Sequence, residues 1–350
     1  MLVLDRGRET WEDHRFRDLP ALLSGNELMV VNNVRVFPAR LLGQRVGIHA
    51  EPAGRRGRAR HEFLHSPIEV LLVRQIEPGV WEALVRPGRK VRKGERIRFG
   101  NGELEGEVIG RGDYGLRQLR FTAPAGFERA LEHLGHVPLP PYIKRPDEAA
   151  DRERYQTIFA REGQAVAAPT AGLHFSEAII ARLRARGIEF CEITLEVGLG
   201  TFEPVRALRV EEHRMHRETY EIPEAAASAI VRARREGRPV LAVGTTVVRA
   251  LEDAALKSSA QSGGIEEAPA IRPGRAEADI FIYPGHRFRV VDQLLTNFHL
   301  PKSSLLVMVA AFAGREFILR AYRHAVEQGY RFYSYGDCML VRWTSPARGN

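Results

Sequence analysis

The chain of 350 residues carries 52 Lys and Arg against 44 Asp and Glu, a formal net charge of +8, and 44% of its residues are hydrophobic. This composition is typical of a globular protein rather than a disordered or membrane one. The longest apolar stretch, around Leu305–Phe312, is far shorter than the roughly 20 residues that cross a bilayer, so no membrane segment is expected. At about 100–200 residues per domain, the length predicts two domains.

The first residues, MLVLDRGRET, lack the charged start and apolar run of a secretion signal, so a cytoplasmic protein is expected. Cys191 and Cys338 have no metal-ligand or disulfide-framework spacing, and no bridge between them is expected in a reducing compartment. The excess of Arg predicts a basic surface that attracts polyanions. Because Arg-rich chains are also typical of GC-rich genomes, charge alone leaves nucleic-acid binding open.

Short runs of alternating apolar residues, separated by turn residues, fill the segment that begins at about residue 46. They lie at 68–73, 81–85, 97–99 and 116–121. Short strands spaced by such turns predict an antiparallel sheet or a small barrel. The Arg-rich stretch Pro52–Arg60 is expected to be an exposed loop.

Strands and helices alternate in the C-terminal half. Ser176 is expected to cap a helix that ends at Gly187. The further predicted elements are a strand around Ile193–Val197, a helix over Pro223–Arg235, a strand over Val240–Val243, a helix over Thr246–Leu256, a strand over Ile280–Tyr283, and helices over Ser304–Phe312 and Glu316–Glu327, with a polar loop over Lys257–Arg275. This succession predicts a layered α/β domain with a largely parallel sheet.

The predicted fold is therefore of the α/β class, with a layered α/β domain interrupted by an inserted antiparallel β-barrel-like domain. Residues 1–45 and 137–350 are expected to form the α/β domain. Residues 46–136 are expected to form the β-rich insert.

The first candidate site loop precedes the Ser176 helix and contains Thr170, Gly172 and His174. Backbone N–H groups ahead of a helix can hold an anion or a ribose hydroxyl. A plain connection with a buried histidine is the alternative interpretation.

The second candidate loop follows a predicted strand and contains Gly198, Gly200 and Thr201. A Gly-x-Gly pattern without a third glycine is a weak nucleotide signal. Pro204 also disfavours the helix that a methyltransferase motif would begin here. The loop is interpreted as a place where a ligand approaches the backbone.

The third candidate site is the turn Gly244, Thr245 and Thr246, which joins a buried strand to a helix that carries Arg249. Open α/β sheets bind ligands at the carboxyl ends of their strands, so this turn suits the polar groups of a nucleotide. Thr245 or Thr246 can equally be the cap of the helix.

Two further segments contain polar side chains beside turn residues. Asn297, His299 and Lys302 share one loop, and an aromatic run that starts at Tyr330 ends at Asp337. Aromatic rings beside an Arg suit base stacking or a sulfonium cation, although an edge strand with buried rings fits the run as well. The histidines at 213 and 216 and the acid at 218 lack helical zinc spacing, so no metal is expected.

Ten segments match one family in order and cover nearly the whole chain. They are VNNVRVFPARLLG, GHVPLPPYIKR, DRERYQTIFA, AAPTAGLHFS, VGLGTFEPV, HRMHRE, AVGTTVVRALE, IFIYPG, TNFHLPKSSLL and YRFYSYGDCML. The chain thereby resembles the S-adenosylmethionine:tRNA ribosyltransferase-isomerase family of queuosine biosynthesis. The resemblance implies an α/β domain interrupted by a β-rich domain, which agrees with the periodicity.

The resemblance also implies an enzyme that moves the ribosyl unit of S-adenosylmethionine onto the 7-aminomethyl-7-deazaguanine base of tRNA and rearranges it to give epoxyqueuosine. Adenine and methionine leave. S-adenosylmethionine is a cosubstrate, no cofactor or metal is implied, and a monomer is expected. An S-adenosylmethionine-dependent RNA methyltransferase and a non-catalytic RNA-binding protein are the alternatives.

The chain departs from the family pattern at several positions. Glu196 stands where the family commonly has His, Asn33-Val34 replaces Asp-Thr, and Ala278 replaces a Thr. Family members usually have further residues before the point where this chain begins, and their Arg-rich loop is shorter. These differences are expected to affect ligand contacts more than the activity itself.

The reaction needs proton transfer and carboxylate binding, and the resemblance directs the choice of residues. His299 is expected to protonate departing adenine, with Asp337 in reserve, and His174 is the third candidate for proton transfer. Arg249 and Arg331 are candidates for the methionine carboxylate. The other residues expected to bind substrate are Thr170, Gly172, Gly198, Gly200, Thr201, Gly244, Thr245, Thr246, Asn297 and Tyr335, and those expected to contact tRNA are Arg35, Arg40 and Lys302.

Overall fold

The computed structural model describes residues 1–47, 67–88, 91–112, 115–198, 205, 207, 209–213, 215–261 and 271–343. The chain divides into two compact units, one formed by Met1–Arg35 with Gln156–Asn350 and the other by Val36–Tyr155. The predicted insert, 46–136, lies inside the second unit, whose bounds are wider on both sides. Three features predicted from the sequence, the Arg-rich stretch 52–60, Gly200 and Thr201, lie outside the described residues.

The described residues form seventeen strands and eight α-helices. The strands are β1 (Leu2–Asp5), β2 (Thr10–Asp13), β3 (Leu28–Asn32), β4 (Val34–Val36), β5 (Arg40–Gly47), β6 (Pro67–Glu77), β7 (Val80–Arg86), β8 (Arg96–Phe99), β9 (Leu104–Arg111), β10 (Arg117–Thr122), β11 (Glu162–Ala165), β12 (Glu189–Leu195), β13 (Glu218–Ile222), β14 (Val240–Val243), β15 (Gly274–Ala278), β16 (Gln293–Asn297) and β17 (Cys338–Arg342). The helices are α1 (Leu19–Leu22), α2 (Phe127–Leu134), α3 (Asp151–Arg154), α4 (Glu177–Ala185), α5 (Glu224–Arg235), α6 (Thr245–Gln261), α7 (Ser304–Ala313) and α8 (Arg315–Glu327).

A nine-stranded sheet forms the first unit, in the order β15-β13-β12-β3-β14-β16-β17-β1-β2. Strands β12, β3, β14 and β16 are parallel neighbours, and β1 is parallel to β17. The remaining neighbours are antiparallel. The expectation of a largely parallel sheet is therefore wrong, because four of the eight neighbouring pairs are antiparallel: β15 with β13, β13 with β12, β16 with β17, and β1 with β2.

Helices cover both faces of this sheet, as the layered α/β prediction requires. Side chains alternate along β3, so Leu28 and Val30 pack in one apolar cluster and Met29 and Val31 in another. The first cluster includes buried residues of α5, α6, α7 and α8, and the second includes residues of α1 and α4. The α/β class is confirmed.

The second unit contains a closed antiparallel barrel in the order β10-β7-β6-β5-β8-β9. Ile68, Val70 and Leu72 of β6 are fully buried and alternate with more exposed residues, which is the pattern of a filled small barrel. A Cβ at Gly43 would lie 2.6 Å from Cδ1 of Phe99, so a glycine is required where these strands meet. The predicted β-barrel-like insert is confirmed.

Most predicted helices and strands of the C-terminal half are present. Ser176 caps α4, with its Oγ accepting a hydrogen bond from the Ile179 N–H at 3.4 Å. The strand predicted over Ile280–Tyr283 is wrong, because the strand lies at Gly274–Ala278 and pairs with β13. The Ile280 carbonyl instead accepts a hydrogen bond from the Arg249 side chain, at 3.1 Å.

Three further findings concern the part of the chain that the structure describes. No helix within the described ranges is long and apolar enough to cross a membrane. Both cysteines are buried and neither forms a disulfide. Across the same ranges, no group of three or more His, Cys, Asp and Glu side chains is placed to hold a metal ion.

Candidate active site

Most of the described site candidates lie near one edge of the nine-stranded sheet. The parallel strands β12, β3, β14 and β16 end there, at Leu195, Asn32, Val243 and Asn297. Strand β17 runs the opposite way and starts at the same edge, because Cys338 pairs with Asn297. The candidate loops, which are far apart in sequence, therefore lie at the same edge of the sheet. This is the carboxyl edge, where open α/β sheets bind ligands.

The loop at 170–174 forms a short 3-10 helix beside the turn that follows β14. A Cβ at Gly244 would lie 3.8 Å from the Ala171 Cβ, and Gly244 has a φ of +97° that favours glycine. A Cβ at Gly172 would lie 2.9 Å from Cγ2 of Thr157. The positive φ therefore favours glycine at 244, and the close approach of the Thr157 side chain favours it at 172.

Asn297 connects three of the predicted segments. Its side chain is 2% exposed. Its Nδ2 lies 3.2 Å from Nε2 of His174, 3.1 Å from the Tyr333 carbonyl oxygen and 3.5 Å from the Asp337 carbonyl oxygen. Among the described residues its Oδ1 has no hydrogen-bond partner. One amide therefore ties the 3-10 helix to the loop that precedes β17.

His174 is partly buried between polar and aromatic neighbours. The Phe16 ring lies 5.1 Å from the His174 ring, between centroids. Burial lowers the pKa of His174 to about 4, while the charge of Asp337 acts in the opposite direction. His174 is therefore neutral at neutral pH.

A tight loop holds Asp337 and Arg331 together. The Asp337 Oδ2 accepts a hydrogen bond from the Arg331 N–H at 2.8 Å, and the Asp337 N–H donates to the Arg331 carbonyl at 2.7 Å. A Cβ at Gly336 would lie 2.4 Å from that same carbonyl oxygen, and Tyr333 has a positive φ of 74°. Strained backbone of this kind persists where its surroundings fix it, and it is frequent at functional sites. The Arg331 side chain is 78% exposed beside the carboxylate.

His299 contacts different residues from those of His174. Its Nε2 lies 2.9 Å from Oγ1 of Thr296, and its backbone N–H donates to the Tyr322 hydroxyl at 2.9 Å. Burial lowers the pKa of His299 to about 3. An imidazole with that pKa is neutral at neutral pH, and its remaining N–H is a very weak acid, so this environment opposes the acid role predicted for it. That role stays a prediction.

Arg249 is buried and its guanidinium contacts protein acceptors. It forms an ion pair with Glu218 at 2.7 Å and donates to the carbonyl oxygens of His216 and Ala278, each at 2.7 Å. The Ile280 carbonyl is a further acceptor. Most N–H groups of the Arg249 guanidinium are therefore already used in hydrogen bonds within the protein and cannot bind a methionine carboxylate. Binding of the methionine carboxylate by Arg249 stays a prediction. Arg331 is the better candidate for this role.

Glu218 was considered only as a metal ligand from the sequence, and the structure gives it another place. Its second carboxylate oxygen accepts a hydrogen bond from the Gly198 N–H, at 3.3 Å. Glu218 therefore joins the glycine loop after β12 to Arg249 of α6. No local sequence signal identifies this role, because the three segments meet only in the folded sheet.

A small cavity of about 10 Å³ lies beside this ion pair. Thr245, Thr246 and Ser304 are among the residues that line it, and all three are buried. Within the described residues, Oγ of Ser304 has no hydrogen-bond partner. A cavity of this size holds about one water-sized group.

Three of the remaining predicted residues lie on the surface. Arg35 is exposed, and Arg40 donates a hydrogen bond to the Leu139 carbonyl at 2.9 Å in the second unit. Lys302 is exposed with a positive φ of 60°, and Tyr335 is 41% exposed. The side chain of Glu196, where the family commonly has His, lies 3.3 Å from Arg275.

The family model described as "Queuosine biosynthesis protein" matches residues 1–341 of this chain. The chain belongs to this family. It is 52% identical over 343 residues to an S-adenosylmethionine:tRNA ribosyltransferase-isomerase of Solibacter usitatus, covering 97% of this chain and 92% of the relative. It is 48% identical over 341 residues, with the same coverage, to the protein of that name from Symbiobacterium thermophilum.

A solved structure is also similar to this chain. It is an S-adenosylmethionine tRNA ribosyltransferase from Thermotoga maritima, 32% identical, with a TM-score of 0.47 and coverage of 97% of this chain and 91% of that one. The family membership predicted from the ten ordered segments is confirmed. Queuosine-family motifs from AAPTAGLHFS to YGDCML thus supply the residues that meet at the carboxyl edge.

Proposed function

We propose that this chain transfers the ribosyl unit of S-adenosylmethionine to the 7-aminomethyl-7-deazaguanine base of tRNA and isomerises it to give epoxyqueuosine. Membership of the queuosine family and the names of its relatives support this activity. The structural observation that carries it is the convergence of His174, Asn297 and Asp337 at one edge of the sheet. Adenine and methionine are the products that leave.

Binding of the cosubstrate needs groups for a carboxylate and for a sulfonium. Arg331 presents an exposed guanidinium, whose planar fork pairs with a carboxylate through two parallel hydrogen bonds. Tyr335, two residues before Asp337, offers an exposed ring face for the sulfonium or for the tRNA base. Thr170, Thr245 and Thr246 supply hydroxyls near the same edge for the ribose or the adenine.

Proton removal beside the sulfonium needs a base within reach of the substrate. Asp337 is our candidate, because its carboxylate is partly exposed and is held by the Arg331 N–H. His174 is the nearest other titratable side chain among those predicted for catalysis. Adenine also needs a proton as it leaves, and His299 remains the sequence-based candidate for that step.

The proposed partners follow from the reaction. Arg35, Arg40 and Lys302 are proposed to contact tRNA phosphates, and S-adenosylmethionine is consumed as a cosubstrate without a further cofactor. A monomer acting in the cytoplasm, where tRNA is modified, completes the proposal.

Product analysis tests this function directly. The protein is incubated with S-adenosylmethionine and with tRNA that either carries or lacks the 7-aminomethyl base. We expect adenine and methionine to accumulate one-to-one, and only with the modified tRNA. Stoichiometric S-adenosylhomocysteine would instead identify a methyltransferase, and tRNA binding without any product would identify an RNA-binding protein.

A further inference from the structure

The orientation of the Asn297 amide is fixed by its backbone neighbours. The carbonyl oxygens of Tyr333 and Asp337 lie 3.1 and 3.5 Å from one end of the amide. A carbonyl oxygen can only accept a hydrogen bond, so the end that faces both of them must be the NH2 group.

The same NH2 group faces the imidazole of His174. The distance from the amide nitrogen to Nε2 is 3.2 Å, and the amide nitrogen has no lone pair to offer. The two N–H groups of the amide serve the two shorter contacts, to the Tyr333 carbonyl at 3.1 Å and to Nε2 at 3.2 Å, so Nε2 is the accepting, unprotonated nitrogen. In a neutral imidazole the single proton then lies on Nδ1.

We propose that Asn297 is a positioning residue that holds His174 as the neutral Nδ1–H tautomer, so that His174 serves the reaction as a hydrogen-bond donor. The proposal rests on the function proposed above. A proton on Nε2 would point at the NH2 group of Asn297, so His174 cannot act there as an acid or a base without losing this contact.

The surroundings of His174 agree with a neutral ring. Burial opposes its protonation, as do the positive charges of the Met1 amino group and Arg331. Asp337 is the neighbouring charge that favours protonation, and it is outweighed. A neutral donor can polarise an oxygen or nitrogen of the substrate throughout the neutral pH range.

The first test observes the tautomer itself. The full-length protein is labelled with ¹⁵N in its histidines, and the His174 resonances are identified by their loss in His174→Gln. We expect one N–H nitrogen at Nδ1 and one lone-pair nitrogen at Nε2 from about pH 5.5 to 8. A proton on Nε2, or a charged ring at neutral pH, would overturn the proposal whether or not the protein makes adenine.

The second test reverses the polarity of the contact. Asn297→Asp replaces the NH2 group by an acceptor, so we expect the proton to move to Nε2 and the pKa of His174 to rise. Turnover should fall by about 10²-fold, the size of the effect when one donor to a transition state is lost. The KM for S-adenosylmethionine should change far less, because a ground-state contact is not removed.

Thr296→Val is the matched control for this variant. Thr296 is buried on the same strand, but its hydroxyl contacts His299 and not His174. The control should leave the His174 tautomer unchanged. If Asn297→Asp fails to fold, Asn297→Ala is used instead, because it removes the donor without adding a charge. The ¹⁵N spectrum of His174 should then show a mixture of the two neutral tautomers. A retained Nδ1–H form in Asn297→Ala would show that Asn297 does not set it.

Discussion

His174 and His299 are both histidines of family motifs at the carboxyl edge, and their contacts separate their roles. His174 contacts an amide that connects it to the Asp337 loop. His299 contacts Thr296 of the strand directly before it and the Tyr322 hydroxyl of α8. The first is linked to other candidate site residues, whereas the second is linked to elements of the core.

His299→Gln tests the acid role predicted from the sequence against this structural role. The His299 ring is buried and contacts Thr296, so we expect the variant to lose stability. Because burial lowers the pKa of His299 to about 3, we expect the variant to keep its turnover per folded molecule. Turnover, tRNA affinity and melting temperature are measured on one preparation. His133→Gln, at an exposed histidine of the second unit, is the control and should leave the melting temperature unchanged.

A loss of turnover by about 10²-fold or more in a stably folded His299→Gln variant would restore His299 as the acid. An unstable variant loses activity in proportion to its unfolded fraction, and that loss is recovered by correcting for the folded concentration.

At the scale of elements, Arg249 holds α6 against the segments around β13 and β15. Its side chain reaches Glu218 at the start of β13 and the carbonyl of Ala278 at the end of β15. Both charged side chains of the ion pair are at least 95% buried. The desolvation of such a pair makes the loss of either partner costly, because the other charge stays buried alone.

Arg249→Met should therefore lower the free energy of unfolding by about 3–5 kcal/mol. Adding Glu218→Met should recover part of that loss, because the double variant leaves no uncompensated carboxylate. Urea denaturation of the two single variants and the double variant measures the coupling. Arg235→Met, at the exposed end of α5, is the control and should change stability by less than about 0.5 kcal/mol. Additive effects of Arg249→Met and Glu218→Met would contradict the buried pair.

At the scale of the whole molecule, the two buried histidines predict how stability depends on pH. Burial lowers their pKa values in the folded chain to about 4 for His174 and about 3 for His299, from an ordinary value of 6.5. The unfolded chain therefore binds more protons than the folded chain below about pH 6.5. The contribution of the two histidines to the free energy of unfolding is therefore fully present above that pH, and it decreases as the pH falls toward 4.

Urea midpoints measured between about pH 7.5 and 4.5 check this prediction, with the histidine contribution limited to two protons. The double variant His174→Gln, His299→Gln should flatten the decrease. Carboxylates with lowered pKa, such as Asp151, lose their contribution only at still lower pH, because their ordinary range lies near 3.8. If the urea midpoint changes with pH equally in the wild type and in the double variant, groups other than these two histidines cause the pH dependence.

Periodicity and turn residues were sufficient to predict the local elements. The Ser176 cap, the strand Val240–Val243 and the short strands of the barrel depend on neighbours in sequence, so local patterns are sufficient to predict them. The strand at Gly274–Ala278 was missed because its sequence, GRAEA, has a weak apolar pattern and its pairing with β13 supplies the stability. The mixed sheet was missed for the same reason, since strand direction at the edges is a tertiary choice.

Ordered motifs and local periodicity are sufficient to predict the family, the α/β class with its β-barrel-like insert, and the loops that carry polar side chains. Which of the candidates meet depends on the folded sheet, because contacts such as Asn297 with His174 join residues more than a hundred positions apart. The tertiary structure also decided that the Arg249 side chain contacts protein acceptors and that His299 is held neutral, since burial and hydrogen-bond partners exist only after the strands assemble.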